Sequence, residues 1–158
     1  MPSYSRAEAA VQPLSPAEET LFRTWMRATR LIRRAFDEDL AREQRMSLAA
    51  YTVLTRLSEA PERRLRMGEL AAAAEMSLSG MTRLVTQLEE LGFVVRCRLE
   101  SDGRGANAVL TDRGFARLEE AYPAHLASVR RHFADHFAGL DVAELTRALE
   151  ACADSASA

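Results

Sequence analysis

Apolar positions recur at helical spacing over the first third of the chain and predict one long amphipathic helix. Ser15 and Pro16 stand at its start, and Glu18 follows the serine by three residues, as in a capping box with proline at the first helical position. The spacing predicts that the helix extends to about Arg42. Its apolar side comprises Leu21, Trp25, Met26, Leu31, Ile32, Ala35, Phe36 and Leu40. An apolar stripe of this length requires a packing partner.

Three shorter helical segments follow the long helix. The first is capped by Ser47 and ends at the Ala60-Pro61 step, because a residue before proline disfavours the α conformation. The second follows Gly68, and the third is capped by Ser77 and stopped by Gly92. The predicted buried side of the third segment comprises Met81, Leu84, Val85, Leu88 and Leu91.

The pattern then changes to strands. Residues 93–99 and 106–110 predict a β-hairpin whose tip, residues 100–105, is charged and contains glycine. A very short strand is also predicted at Leu65. Two short helices followed by a strand pair indicate a helix-turn-helix with a wing, whose second helix has the width to enter a DNA major groove.

Two more helices complete the chain. Thr111 is the predicted cap of a helix that extends to about Phe137 with an irregularity near Pro123, and Asp141 begins the last helix. The predicted fold is mainly α (α+β), in the order α-α-(β)-α-α-β-β-α-α, a winged helix-turn-helix with N- and C-terminal dimerisation helices. The predicted boundaries are a flexible arm at 1–14, a dimerisation helix at 15–45, a winged helix-turn-helix at 46–112, dimerisation helices at 113–152 and a disordered tail at 153–158.

Composition narrows the class of protein. The 158 residues are 47% hydrophobic, enough for a core, and charged residues interrupt every apolar stretch before it reaches membrane-spanning length. We therefore expect a cytoplasmic protein without a membrane segment. The formal net charge is -2, so any DNA contact depends on local placement of the basic residues, all of which are arginine. No nucleophile-base-acid spacing or phosphate-binding loop is present, so an enzyme is not expected, nor is a cofactor.

The candidate DNA-binding residues lie on the outer side of the third short helix and in the wing. Small or hydrogen-bonding groups on the helix suit base edges and phosphates, and arginine at a hairpin tip suits a narrow minor groove, where Asp102 can orient Arg104. Arg96 belongs to the same hairpin. A solvated helix face and an ordinary hairpin turn would use similar residues, so the combination carries the prediction. The candidates are Ser77, Ser79, Gly80, Thr82, Arg83, Gln87, Arg98, Asp102 and Arg104.

The segments 67–71, 77–85 and 88–94, with the wing run 102–105 and the helix entry 110–114, resemble the MarR family of bacterial transcription regulators. The resemblance covers most of residues 65–115. It implies a homodimer in which the first and last helices of two chains interlock, and two recognition helices about 34 Å apart on a palindromic double-stranded DNA operator. It also implies repression that a small molecule, often aromatic or phenolic, relieves. Gly80 is unfavourable within a helix, because glycine lowers helix stability by about 1 kcal/mol relative to alanine. Its lack of a side chain permits close approach to a phosphate.

Several sensing sites remain open at this level. An effector cleft lined by Trp25, Met26, Thr29 and Tyr51 competes with plain core packing of the same residues. His132 and His136 are four apart on one helix and are able to reach one metal, but two ligands do not make a site, and we predict none.

Two alternatives to effector-released repression remain. Cys97 stands between two arginines, whose positive field favours an oxidisable thiol. The redox-sensing relatives carry their reactive cysteine near the N-terminus instead, so a small strand residue is the favoured interpretation of Cys97. The other is a winged-helix protein-interaction module without specific DNA binding.

Overall fold

The computed structural model describes residues 12–98 and 106–157. Six α-helices and a small sheet follow one another along these residues. Their bounds are α1 Pro16–Gln44, α2 Leu48–Glu59, β1 Arg64–Arg66, α3 Met67–Ala73, α4 Leu78–Glu90, β2 Val94–Arg98, β3 Ala106–Leu110, α5 Asp112–His132 and α6 Val142–Ser157. Short 3-10 turns at Pro61–Arg63 and Ala134–Phe137 complete the described elements. This is the predicted order, including the very short strand.

Local capping places the helix starts where the sequence predicts them. Ser15 and Glu18 form a reciprocal capping box at α1, and the side chains of Ser47, Ser77 and Thr111 accept backbone N–H groups at α2, α4 and α5. These caps involve only neighbours in sequence, which is why the pattern alone locates them.

The three strands form an antiparallel sheet in the order β1-β3-β2. Leu65 lies opposite Ala108, and Val94 lies opposite Leu110, so β3 is the central strand. The sheet and α2, α3 and α4 enclose one core, and its fully buried members include Val53, Leu54, Leu57, Leu70, Met81, Val85, Val94 and Ala108. We call residues 48–110 the winged module.

The start of α5 lies tightly against the end of α4. The Thr111 hydroxyl donates to the carbonyl of Gly92 at 2.7 Å, and the amide of Thr111 donates to the carbonyl of Phe93 at 3.0 Å. A Cβ at Gly114 would lie 2.1 Å from that Phe93 oxygen, so only glycine fits there. This contact fixes α5 against the winged module.

Helices α1, α5 and α6, residues 16–44 and 112–157, form what we call the helical frame. Asp39 of α1 is buried and accepts the Ser128 hydroxyl of α5 at 2.7 Å. Arg131 and His132 of α5 lie 3.2 and 3.1 Å from the same carboxylate, and Arg42 contacts its other oxygen. Chiefly because of the hydrogen bond from Ser128, the pKa of Asp39 falls from 3.8 to about 2. The charged form of Asp39 therefore joins the two helices.

The end of the chain differs from the prediction in two respects. Helix α5 passes through Pro123 without a break and ends at His132, because Phe133 leaves helical geometry at φ -138° and ψ -73°. The predicted helix to Phe137 is therefore one turn too long. The predicted tail at 153–158 is helical as far as Ser157, since α6 continues to that residue. Alanine and serine near the end of α6 carry no stop signal.

Candidate nucleic-acid interface

Helices α3 and α4 and the tight turn between them form the central part of the site. Glu75 occupies the left-handed region at φ 53°, and the amide of Met76 donates to the carbonyl of Ala71 at 2.9 Å, which closes α3. Ser77 then caps α4 by accepting the amide of Gly80 at 3.2 Å. The predicted helix-turn-helix is present.

The two sides of α4 differ in burial. Met81, Val85 and Leu88 lie in the core of the winged module. The opposite side is open to solvent, and it carries the exposed candidates Ser79, Thr82, Arg83 and Gln87. The structure therefore brings the predicted helix residues together on one exposed surface, with the capping Ser77 at its N-terminal end.

Gly80 has a local reason for being glycine. A Cβ at this position would lie 3.1 Å from the Ser77 hydroxyl oxygen, which is the atom that caps α4. A larger residue would crowd that cap, because the hydroxyl accepts the amide of residue 80 itself. The predicted approach of a phosphate at Gly80 stays a prediction.

The polar groups on the outer side of α4 are not equally free. The Thr82 hydroxyl donates to the carbonyl of Leu78 at 2.8 Å, and the hydroxyls of Ser77 and Ser79 lie 3.3 Å apart. A phosphate needs donors, so these hydroxyls must rotate to contact one. Arg83 makes no ion pair within residues 12–98 and 106–157, which leaves its guanidinium available to an anion.

The wing is described only in part. Strand β2 ends at Arg98, whose backbone pairs with Ala106 of β3. Asp102 and Arg104 lie outside the described residues. Their predicted contacts with a minor groove stay predictions.

Arg96 differs from the role that its place in the hairpin suggests. Its Nε lies 2.6 Å from Glu89 Oε2, and its Nη2 donates to the Thr86 hydroxyl at 3.1 Å. Its amide donates to Glu89 Oε1 at 2.8 Å. The side chain therefore joins β2 to α4. Sequence reasoning missed this pair; the seven-residue separation of a glutamate and an arginine across a turn was its only signal.

The four predicted effector residues line neither of the two cavities described below. Trp25 and Met26 are 38% and 54% exposed on the N-terminal half of α1, whereas Tyr51 is buried beneath α5 against the His125 ring. Thr29 donates to the carbonyl of Trp25 at 3.0 Å.

A cavity of about 620 Å³ lies instead between α1, α2, α5 and the turn after α3. Its lining includes Arg33, Arg34, Asp37, Thr52, Arg56 and His125. Burial lowers the pKa of His125, so this ring is neutral near pH 7. The cavity contacts both the helical frame and the winged module. A second cleft, of about 430 Å³, lies between α4 and the junction of α1 and α2, and Gln87 lines it.

The other sensing candidates are dispersed. His132 is engaged with Asp39, and His136 Nε2 lies 3.2 Å from the carbonyl of Arg131. The described residues contain no group of three or more potential metal ligands. Cys97 and Cys152 are both free and exposed. Within the described residues, no helix is long and apolar enough to cross a membrane.

Similarity to known proteins agrees with this geometry. A model of the MarR family matches residues 46–105. The HTH-type transcriptional repressor YetL of Bacillus subtilis is 32% identical over 84 residues, which is 53% of this chain and 50% of YetL. The chain spans about half the length of the curated relatives that it matches.

Solved structures match over nearly the whole chain. AbsC, a MarR family transcriptional regulator from Streptomyces coelicolor, has a TM-score of 0.83 and 36% identity, with coverage of 92% of this chain and 98% of AbsC. Sco3205, a MarR family regulator from the same organism solved in complex with DNA, has a TM-score of 0.80 and 33% identity, covering 92% and 89%. These proteins are transcriptional regulators and not enzymes, and their fold confirms the predicted winged helix-turn-helix. The chain belongs to the MarR family of transcriptional regulators.

Proposed function

We propose that two copies of this chain form a sequence-specific DNA-binding repressor that binds a palindromic operator in the bacterial cytoplasm. The exposed side of α4 carries this proposal, because it presents Arg83, which forms no ion pair with a described residue, beside small hydrogen-bonding groups while its other side is fixed in the core. Sco3205, which is 33% identical to this chain, has been solved with DNA.

Each candidate residue has a role that suits its chemistry. Arg83 and Gln87 contact base edges or phosphates in the major groove, and the hydroxyls of α4 contact phosphates. The wing residues Arg98, Asp102 and Arg104 bind in the adjacent minor groove. The residues assigned to phosphate contact are Ser77, Ser79 and Thr82, with Gly80 allowing close approach.

The exposed apolar residues of the helical frame support a homodimer. Leu21 and Phe22 of α1 are 69% and 57% exposed, and Val142 at the start of α6 is 57% exposed. Helix α6 has no fully buried residue in a single chain between Val142 and Cys152. A helix of this length is stable in water mainly when its apolar side is covered, and a second copy supplies that cover.

The first experiment is selection of DNA from a random-sequence duplex pool, followed by fluorescence anisotropy over a salt series. We expect a palindrome with half-sites one helical turn apart. Arg83→Gln is expected to weaken binding about tenfold and to reduce the salt slope by about one. Arg23→Gln, on the N-terminal half of α1, is the matched control and leaves the slope unchanged. A folded dimer that enriches no sequence would instead support the protein-interaction module.

The same proposal includes release by a small molecule bound in the 620 Å³ cavity. Arg56 Nε donates to the carbonyl of Ala73 at 3.2 Å, and Arg33 lies 3.7 Å from Glu75. An anionic ligand that takes these guanidiniums away from the turn between α3 and α4 would alter the DNA-binding side. Apolar neighbours Phe36, Leu48 and Met76 suit an aromatic body.

Titration of the protein–DNA complex with salicylate and 4-hydroxybenzoate tests this site. We expect release of DNA by at least one of these phenolic acids, and Arg56→Gln is expected to bind DNA but to resist release. Trp25→Ala reports on the effector cleft expected from the sequence. If release of DNA depends on Trp25 and not on Arg56, the effector site lies on α1 instead. If neither phenolic acid releases DNA, this ligand class is rejected. A promoter reporter carrying the selected operator distinguishes repression from activation.

A further inference from the structure

The geometry points to Arg96 and Glu89 as positioning residues that fix wing strand β2 against α4, so that the helix and the wing reach DNA in one fixed arrangement. This inference rests on the proposed DNA-binding function. It assigns to Arg96 an indirect role in place of the direct contact that a wing arginine suggests.

Glu89 engages Arg96 with both carboxylate oxygens. Oε1 accepts the backbone amide of Arg96 at 2.8 Å, and Oε2 lies 2.6 Å from Nε and 2.5 Å from Nη2. The side chains are only 34% and 27% exposed, so solvent screens the pair less than it screens most surface pairs. The contact to the amide fixes the strand backbone as well as the side chain.

A second set of hydrogen bonds continues from this pair along α4. Arg96 Nη2 donates to the Thr86 hydroxyl at 3.1 Å, and that hydroxyl donates to the carbonyl of Thr82 at 2.9 Å. The Thr82 hydroxyl donates in turn to the carbonyl of Leu78 at 2.8 Å. Strand β2 is thus joined to α4 at Thr86, and the hydroxyls of Thr86 and Thr82 each bond to the preceding turn of the same helix.

The position of Arg96 in β2 also directs its side chain towards α4. Side chains alternate across a strand, so Arg96 lies on the same face as the fully buried Val94, whereas Val95 and Cys97 lie on the other, exposed face. Its guanidinium is already paired, and the pair with Glu89 carries no net charge. Electrostatic attraction to phosphates is therefore not what this arginine supplies.

Because the two partners have opposite charges, substitution of Glu89 tests the inference. A positioning role and a direct phosphate contact of Arg96 predict opposite changes in DNA affinity. Glu89→Gln removes a negative charge, which by itself strengthens DNA binding and frees Arg96 to bind a phosphate. If the pair positions β2, the same substitution weakens binding. Glu90→Gln is the matched control, because Glu90 is exposed on the same helix, makes no ion pair with a described residue and loses the same charge.

The experiment measures anisotropy on the best duplex recovered from the random pool, with hydroxyl-radical footprinting on the same DNA. We expect Glu89→Gln and Arg96→Gln each to weaken binding roughly tenfold, and the double variant to bind no worse than the weaker single variant. Glu90→Gln is expected to bind equally or more tightly. The footprint is expected to lose protection in the flanking minor grooves while the major-groove half-sites stay protected.

The outcomes separate this inference from the proposed function. If the wild-type protein selects no DNA, the proposed function fails. If the wild type binds and Glu89→Gln tightens binding as Glu90→Gln does, the positioning role is wrong and Arg96 is a direct contact. If Glu89→Gln lowers the melting temperature, Thr86→Val is used instead, because this near-isosteric change removes only the hydroxyl that Arg96 contacts. DNA binding that is two- to threefold weaker at an unchanged melting temperature supports the inference. Unchanged binding overturns it.

Discussion

The winged module and the helical frame bury their apolar side chains in different ways. In the module, Leu54 and Val85 are 0% exposed, and the helices and strands contribute to one core, which continues to Leu40 of α1 and Leu118 of α5. In the described part of the frame, the buried apolar residues are Leu40 of α1 and Leu118 and Ala121 of α5, which belong to this same core. The N-terminal half of α1 leaves large apolar residues exposed, and in α6 Val142 is exposed while Leu145 and Leu149 are only half-buried.

This difference shows which part of the fold a single chain completes. The apolar side chains of the module are covered by contacts within one chain, including contacts with α1 and α5. The frame has apolar surface without a covering layer, and it becomes complete only with a second copy, as proposed. Substitutions in the two regions should therefore change different quantities: the free energy of unfolding in the module and the dimer dissociation constant in the frame.

The largest expected effect is at the contact between α5 and the module. Gly114→Ala places a Cβ 2.1 Å from the Phe93 carbonyl oxygen and 2.7 Å from Leu110, so α5 must move. We expect the free energy of unfolding to fall by about 3 kcal/mol, measured by urea denaturation. Gly68→Ala is the control, since a Cβ there meets nothing within 4 Å. Equal stability of the two variants would contradict the tight contact.

The next effect belongs to the open part of the frame. Phe22→Ser is expected to raise the dimer dissociation constant about 30-fold, about 2 kcal/mol, while the spectrum of the folded module is retained. Sedimentation velocity over a dilution series measures it. Leu78→Ser in α4 is the matched control, because both residues are 57% exposed, but only Phe22 lies in the frame. A dimer unaffected by Phe22→Ser would place the interface elsewhere.

The smallest expected effect is at Asp39, which joins α1 to α5 within the frame. Asp39→Asn loses charge-assisted hydrogen bonds between α1 and α5, and we expect a loss of about 1.5 kcal/mol at pH 7. The pKa of Asp39 is lowered from 3.8 to about 2, so its charge stabilises the fold above pH 3.8. That stabilisation is lost as the pH falls towards 2.

Urea denaturation of both proteins at fixed concentration, from pH 7 down to pH 2, checks this sign. The difference in the free energy of unfolding between the wild type and Asp39→Asn is expected to disappear as the pH falls towards 2. A difference that stays constant with pH would show that packing, and not the charge of Asp39, joins the helices.

Sequence reasoning located the elements well because their signals are local. Ser47 and Ser77 cap helices through neighbours three residues away, and the strand predicted at residues 106–110 is observed as Ala106–Leu110. The exposed candidates of α4 followed from the same helical period. Gly114 was recognised only as part of a family pattern, and its packing against Phe93 required coordinates.

The pairs that sequence reasoning missed join different elements of the fold, whether they are near in sequence, as Glu89 and Arg96 are, or far apart. Asp39 meets Ser128 across 89 positions, so nothing in either pattern indicated that they bond. The effector residues were chosen from an apolar stripe, but α1 turns Trp25 and Met26 towards solvent, while Arg56 and His125 line the cavity. From sequence alone, a charged residue on a helix is interpreted as solvent-exposed, because its partner on another element is not known.

The uncovered apolar residues of α6 affect how the proposed repression depends on the concentration of the protein. If only paired chains occupy an operator, the concentration of binding-competent protein varies as the square of the chain concentration wherever most chains are unpaired. A twofold fall in expression then lowers the dimer about fourfold. Repression at the proposed operator would respond more steeply to the rate of synthesis than a monomeric regulator allows, and that steepness would originate in a helix outside the winged module.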